Sequence, residues 1–297
     1  YNTHREFGSG DRICYHGVLD MFRNPKLSAA VYASQKTPRS PSDIVLEVSS
    51  SMALGDHPGG FAGACWVFTN AESVRLYRGN DFIAEFTPDR RGRFAALPHP
   101  PIEVQDFVGS LLEKYEGLDP VAAPQVAAIL NEMRRDALAL SPLSRARLLS
   151  LRLGWNDLLR MYYKYIGVLG SPSSVYRFEA VWHGRAVRTV VKEPVQSVRL
   201  ECTVLNPLLT DGPTWDCAAV SLRAIDQNGN LLPYCGEAVQ LSVEGPVKIL
   251  GPSVVPLRGG MAGTYLATTG EAGRAVLHCK MEGALDTEAA LTVRKRG

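Results

Sequence analysis

From Ile44 the chain alternates: Ile44, Leu46 and Val48 face Val45, Glu47 and Ser49 at period two, the pattern of a strand. Residues 64–68, 73–77 and 82–86 read as further short strands, broken by Asn70-Ala71-Glu72 and by the hairpin signal Arg78-Gly79-Asn80-Asp81. Strands this short and this often interrupted predict an antiparallel sandwich. Between about 102 and 167 the period changes to 3.6. Val104, Phe107, Val108, Leu111 and Leu112 form one stripe; Val126, Ile129, Leu130 and Met133 form a second; Leu148, Leu149, Leu151, Leu153, Leu158, Leu159 and Met161 form a third. Pro120, Pro124 and Pro142 divide these helices. A helical unit of roughly 60 residues has a marginal core of its own, so it is expected to lean on a neighbour. Strands resume at 176–182, turn at His183-Gly184 and continue through 187–191, 198–204, 218–225, 239–243 and 275–279. Asp226-Gln227-Asn228-Gly229-Asn230 is a turn. Ahead of all this, 1–23 is loop-like, and Asn24 caps a predicted helix running to about Lys36, with Pro25 at its first position.

Composition narrows the partners. The 297 residues are too many for one typical domain. The 32 basic and 30 acidic residues are spread along the chain, and the one basic cluster, Arg294-Lys295-Arg296, reads as a solvated tail, so nucleic acid is not expected. No stretch reaches the roughly 18 apolar residues of a membrane span, so no membrane partner is expected. The start, Tyr1-Asn2-Thr3-His4, is neither a signal peptide nor an initiator methionine and reads as the middle of a longer protein; the residues before Tyr1 in the parent gene would be the most informative addition. Cys14, Cys65, Cys202, Cys217, Cys235 and Cys279 are far apart, with no zinc spacing. They are expected to be reduced and mostly buried, in a cytoplasmic protein without cofactor or metal. Trp66 and Trp182, inside strands, are expected in the core; three tyrosines at Tyr162, Tyr163 and Tyr165 cannot all face inward.

Four segments resemble glycoside hydrolase family 2, the β-galactosidase, β-glucuronidase and β-mannosidase family. His16-Gly17-Val18-Leu19-Asp20-Met21-Phe22-Arg23-Asn24-Pro25-Lys26 looks like the end of its catalytic (β/α)8 barrel. Trp66 to Tyr77, through Thr69-Asn70, resembles the strand, Ser/Thr-Asn, strand signature that opens the immunoglobulin-like domain after the barrel. Tyr176-Arg177-Phe178-Glu179-Ala180 with His183 to Val187 resembles that domain's closing strands. The run from Asp216 through Asp226, Gly229 and Pro233 to Gly263 looks like the last immunoglobulin-like domain.

The resemblance implies a mainly β fold with an α-helical insertion: two immunoglobulin-like β-sandwiches preceded by the last loop and helix of a (β/α)8 barrel. The implied domains are 1–37, a barrel remnant; 38–107 plus 173–197, the first sandwich; 108–172, the helical insertion; and 198–297, the second sandwich. A free-standing helical domain between two sandwiches is the alternative. Members are retaining enzymes, which need two carboxylates about 5–5.5 Å apart, and the family keeps both well before this segment. Glu6, in Arg5-Glu6-Phe7-Gly8, superficially matches the nucleophile's context, yet it lies only ten residues before His16. A barrel-rim or solvent-exposed position is expected for it, and no catalytic residue is expected in the chain. Cys14 and His16 stand where β-glucuronidases carry the Asn and Lys that bind the uronate. They are candidate substrate-binding residues in the intact parent, and their chemistry favours a neutral sugar such as galactose. The implied role is a non-catalytic accessory region of a β-galactosidase-like glycosidase. Its partners are the catalytic barrel of the same chain, the carbohydrate substrate and, through the sandwiches, homo-oligomer contacts. A stand-alone carbohydrate-binding or protein-interaction module is the rival reading.

Overall fold

The computed structural model describes residues 3–4, 13–14, 17–50, 63–136, 138–167 and 174–296. They divide into two compact units: Leu27–Pro194, and the residues up to Lys26 together with those from Val195 onward. Strands predominate. Among the described residues no helix is long and apolar enough to cross a membrane.

Two short strands, β1 (Thr3–His4) and β2 (Ile13–Cys14), pair antiparallel with Thr3 opposite Cys14. The Leu27–Pro194 unit then begins with α1 (Leu27–Ala33), which is shorter than expected. Asn24 does not cap it. The side chain of Asn24 is engaged elsewhere, as described below, so residues 1–37, expected as one piece, are divided between the two units.

Two sheets follow. One has the order β3 (Leu46–Val48), β4 (Trp66–Thr69), β7 (Ile102–Glu103). The other has the order β6 (Asp81–Phe86), β5 (Ser73–Arg78), β8 (Tyr176–Trp182), β9 (Arg185–Lys192). β5 and β8 pair from Ser73 opposite Val181 to Arg78 opposite Tyr176, closing a sheet across the whole helical region. Val74 and Leu76 of β5 are fully buried while Arg75 faces out beside its cross-strand partner Glu85, at 2.8 Å. The β8–β9 hairpin turns at His183 and Gly184, both at positive φ, 51° and 72°, as a primed two-residue turn demands.

The helices are α2 (Leu111–Glu116), α3 (Ala122–Arg135), α4 (Pro142–Ser150) and α5 (Trp155–Tyr165). Two features differ from expectation. Val104, Phe107 and Val108 are buried but precede α2, in a non-helical stretch whose side chains enter the same apolar cluster. The third stripe is split into α4 and α5, with Arg152 between them at φ 54°. The helices own no separate core. Val126, Ile129, Leu130, Met133, Leu158 and Met161 join Leu46, Val67, Leu76 and Phe178 in one apolar cluster. Tyr162 and Tyr165 face that cluster and Tyr163 faces out, which resolves the three-tyrosine conflict. Trp182 packs against the cluster, whereas Trp66 lies half-buried on the other face of β4, edge-on to Phe94 at 5.8 Å. Period two explains the difference: Val67, its neighbour, takes the core side.

From Val195 a sandwich forms. One sheet runs β10 (Arg199–Val204), β12 (Cys217–Ile225), β16 (Met261–Thr268), β14 (Val247–Leu250). The other runs β11 (Leu208–Asp211), β18 (Thr287–Lys295), β17 (Gly273–Met281), β13 (Ala238–Glu244), β15 (Val254–Pro256). Val220, Leu222 and Leu266 from the first sheet meet Val239, Leu277 and Leu291 from the second in one core. The Asp226 turn forms as expected: its carboxylate accepts the N–H groups of Asn228 and Asn230, each at 2.8 Å. The cysteines are less uniformly buried than expected. Cys65 and Cys279 are buried, Cys202 and Cys235 are half-buried and Cys217 is exposed at a strand start.

Candidate docking site

Two connecting segments, one in each unit, are each fastened to a sheet by a buried asparagine.

The first is residues 18–26. The Asp20 carboxylate accepts the N–H of Phe22 and of Asn24, each at 2.8 Å, and the Asn24 amide at 2.8 Å. The backbone closes the loop from Lys26 N–H to the Val18 carbonyl at 3.0 Å. Arg23 takes φ 67°, which the tight turn imposes. The loop lies on the outer face of β12 and β16. Asn24, 1% exposed, donates to the Ala262 carbonyl at 2.9 Å and accepts from the Ser221 hydroxyl. The Tyr265 hydroxyl donates to the Met21 carbonyl at 3.0 Å, and the rings of Tyr265 and Phe22 lie 5.6 Å apart.

Gly263 makes this fit possible. It is opposite Ser221 in the ladder, and a Cβ there would stand 2.2 Å from Phe22 Cγ and 2.5 Å from the Val220 carbonyl oxygen. Its φ is not in the left-handed region, so glycine is required here for space rather than for backbone freedom.

The second segment is residues 36–45. Asn70, 3% exposed, donates to the carbonyls of Lys36 at 2.9 Å and Asp43 at 3.1 Å and accepts from Val45 N–H at 2.8 Å. The Thr69 hydroxyl donates to the Val45 carbonyl at 2.6 Å. The Thr69-Asn70 pair thus terminates β4 and holds the incoming chain against it.

Elsewhere in the Leu27–Pro194 unit the ties are charged. Glu116, at the end of α2, accepts from Lys164 at 2.6 Å, Tyr165 at 2.7 Å and Arg160 at 2.9 Å, all on α5. Burial alone would raise the Glu116 pKa, but these three donors outweigh it and hold the carboxyl at about 2. Arg78 on β5 donates to the last carbonyls of α5, Tyr165 at 2.6 Å and Lys164 at 2.7 Å, and to Ser174. It satisfies helix-end acceptors that would otherwise be orphaned.

Glu6 and His16 lie outside the described residues, as does the side chain of Cys14. Hydrogen bonds and cations also displace the Asp43, Asp81, Glu85, Asp119 and Glu132 carboxyls downward. No group of three His, Cys, Asp or Glu among the described residues is arranged to hold a metal ion. Sequence reasoning singled out none of the anchoring contacts. Asn24 has a buried partner in Ser221, 197 positions away, which local spacing cannot show.

No family model matches the chain. It is 29% identical over 263 residues to a β-galactosidase of Thermoanaerobacterium thermosulfurigenes, covering 88% of this chain and 29% of that protein. Identity to a β-galactosidase of Thermoanaerobacter pseudethanolicus is also 29%, over 280 residues, covering 94% of this chain and 30% of the relative. The chain therefore spans under a third of the length of the curated relatives it matches. Among solved structures, a glycosyl hydrolase family 2 member from Bacteroides cellulosilyticus superposes with a TM-score of 0.53 at 12% identity, over 95% of this chain and 32% of that one.

Proposed function

We propose that the chain, which resembles β-galactosidases, is a β-galactosidase-like region of glycoside hydrolase family 2 and the non-catalytic accessory part of a retaining β-glycosidase. In this reading residues up to Lys26 carry the last loop of a catalytic barrel, and the sandwich beyond Val195, of immunoglobulin-like kind, buttresses it. The Leu27–Pro194 unit is a second immunoglobulin-like sandwich with a helical insertion, homo-oligomer contacts fall to the sandwiches, and the parent works in the cytoplasm. One observation carries the reading. The segment that resembles a barrel end is bound to the C-terminal sandwich by Asn24, Asp20 and Phe22, with Gly263 cut to fit. A buried asparagine satisfied on both sides fixes one position of the loop, because moving it strands a carbonyl and a hydroxyl.

The substrate is then read as a neutral β-glycoside such as a β-galactoside. Cys14 and His16 offer no fixed cation for a uronate carboxylate. No cofactor is required, since retaining hydrolysis runs on two carboxylates supplied elsewhere in the parent.

Side-by-side assays of the isolated chain and of the parent gene product on an aryl β-galactoside test this. The parent is expected to turn over and the chain alone to stay at background. Turnover by the chain that disappears on Glu6→Gln would overturn the accessory role.

A further inference from the structure

We propose that Cys202 and Cys279 are an oxidation site at which a small-molecule disulfide, such as oxidised glutathione, converts the sandwich's two facing sheets into a covalently stapled pair. β10, carrying Cys202, belongs to one sheet, and β17, carrying Cys279, belongs to the other. Both side chains enter the same apolar core, and their sulfurs stand 3.5 Å apart with the Cys279 thiol donating to Cys202. Reaching the roughly 2 Å of a disulfide takes about 1.5 Å of approach between the sulfurs.

The pair is also unequal in the way exchange chemistry needs. Cys202 is half-buried and Cys279 fully buried, so an oxidant meets Cys202 first. The hydrogen bond from Cys279 lowers the Cys202 pKa and favours its thiolate, while Cys279, which holds the proton, is pushed up by that bond and by burial. The Cys202 thiolate attacks one sulfur of the oxidant, its S–S bond breaks and one thiol leaves. Cys279, on losing its proton to solvent, attacks Cys202 in the mixed disulfide and expels the second thiol. The protein loses two protons and two electrons, and the small disulfide becomes two thiols.

The link would enclose a loop of 77 positions, a long one, so its effect on the unfolded chain is large. Folded wild-type chain should be held with oxidised glutathione at mildly alkaline pH, then denatured, alkylated and mapped without reduction. The expected result is a peptide joining Cys202 to Cys279, and a melting temperature raised by roughly 10 °C and restored by dithiothreitol. Cys217→Ser should leave both intact, and Cys202→Ser should abolish both. Exposed Cys217 becoming glutathionylated while Cys202 and Cys279 stay alkylatable would overturn the proposal, because the oxidant was then active and the pair inert. A link between chains through Cys217, or a Cys202–Cys279 link that leaves the melting temperature unchanged, would overturn it equally.

Discussion

The Leu27–Pro194 unit and the C-terminal sandwich both fasten a chain segment onto a sheet through a buried asparagine, Asn70 in one and Asn24 in the other, and only the first adds charged ties. There Glu116 at the end of α2 gathers three donors from α5, and Arg78 on β5 closes the end of that helix. The second ties residues 18–26 to β12 and β16 with neutral groups, Asn24, Ser221, Tyr265 and a ring over Gly263. A charged tie answers to pH and salt, whereas a neutral buried one answers to shape. The contrast predicts that the two units fail under different insults. Hydrogen exchange read peptide by peptide can assign each failure to its unit.

The largest effect should come from Gly263→Ala. The added methyl meets a ring carbon and a carbonyl oxygen at distances no real contact tolerates. The loop must leave or the ladder must bend, at a cost of about 4 kcal/mol. Denaturant unfolding measures it, and Phe22→Ala in the same chain should return part of the loss. A cost under 1 kcal/mol would mean that the ring is not seated as described.

Asn24→Ala should follow at about 3 kcal/mol, since the Ala262 carbonyl and the Ser221 hydroxyl lose a partner in a buried setting and one Asp20 oxygen loses a part-buried one. Faster exchange should appear in β12 and β16 and not in the helices. Protection lost evenly across the chain would contradict the neutral tie as a local device.

These two residues show where sequence reading stops. The pairing of Tyr176–Trp182 with β5 accords with the resemblance, which makes these residues closing strands of the domain that Trp66 to Tyr77 opens. The helical unit's dependence on the sheets followed from its size. Asn24 was read as a helix cap because capping is what a local pattern Asn-Pro can express. Its real partners depend on tertiary placement. Gly263 interrupts the alternation of β16, which therefore carries no strand signal. The sulfurs of Cys202 and Cys279 meet across two sheets, where spacing along the chain carries no information. The Thr69-Asn70 signature is the intermediate case: the pattern was visible, and only the structure shows that it holds residues 36–45.

In the charged unit, Arg78→Lys should cost about 2–3 kcal/mol. A lysine keeps the charge but cannot reach the Tyr165 and Lys164 carbonyls and Ser174 at once. The end of α5 should fray in hydrogen exchange while residues 18–26 stay protected. Equal loss at both places would erase the distinction between the units.

The smallest effect is also the most selective. The Glu116 carboxyl sits at about 2 in the folded chain against an ordinary 4.5. Its folded pKa is depressed, so the unfolded chain takes up the proton first as pH falls. The stability that Glu116 confers is therefore complete above about pH 5.5 and drains away between pH 5 and 2. The shift corresponds to at most on the order of 3 kcal/mol, and the Arg160 and Lys164 ends are about half exposed, so about 2 kcal/mol is expected after screening. Glu116→Gln should lower stability by that amount at pH 7 and by only about a quarter of it at pH 2.5, flattening the acid limb of the Leu27–Pro194 unit. Salt should blunt the difference at pH 7. The C-terminal sandwich, followed through the peptides of β12 and β16, should show no such change on the same substitution. An acid limb that is unaltered in Glu116→Gln would show that the three donors on α5 do not set the unit's response to acid.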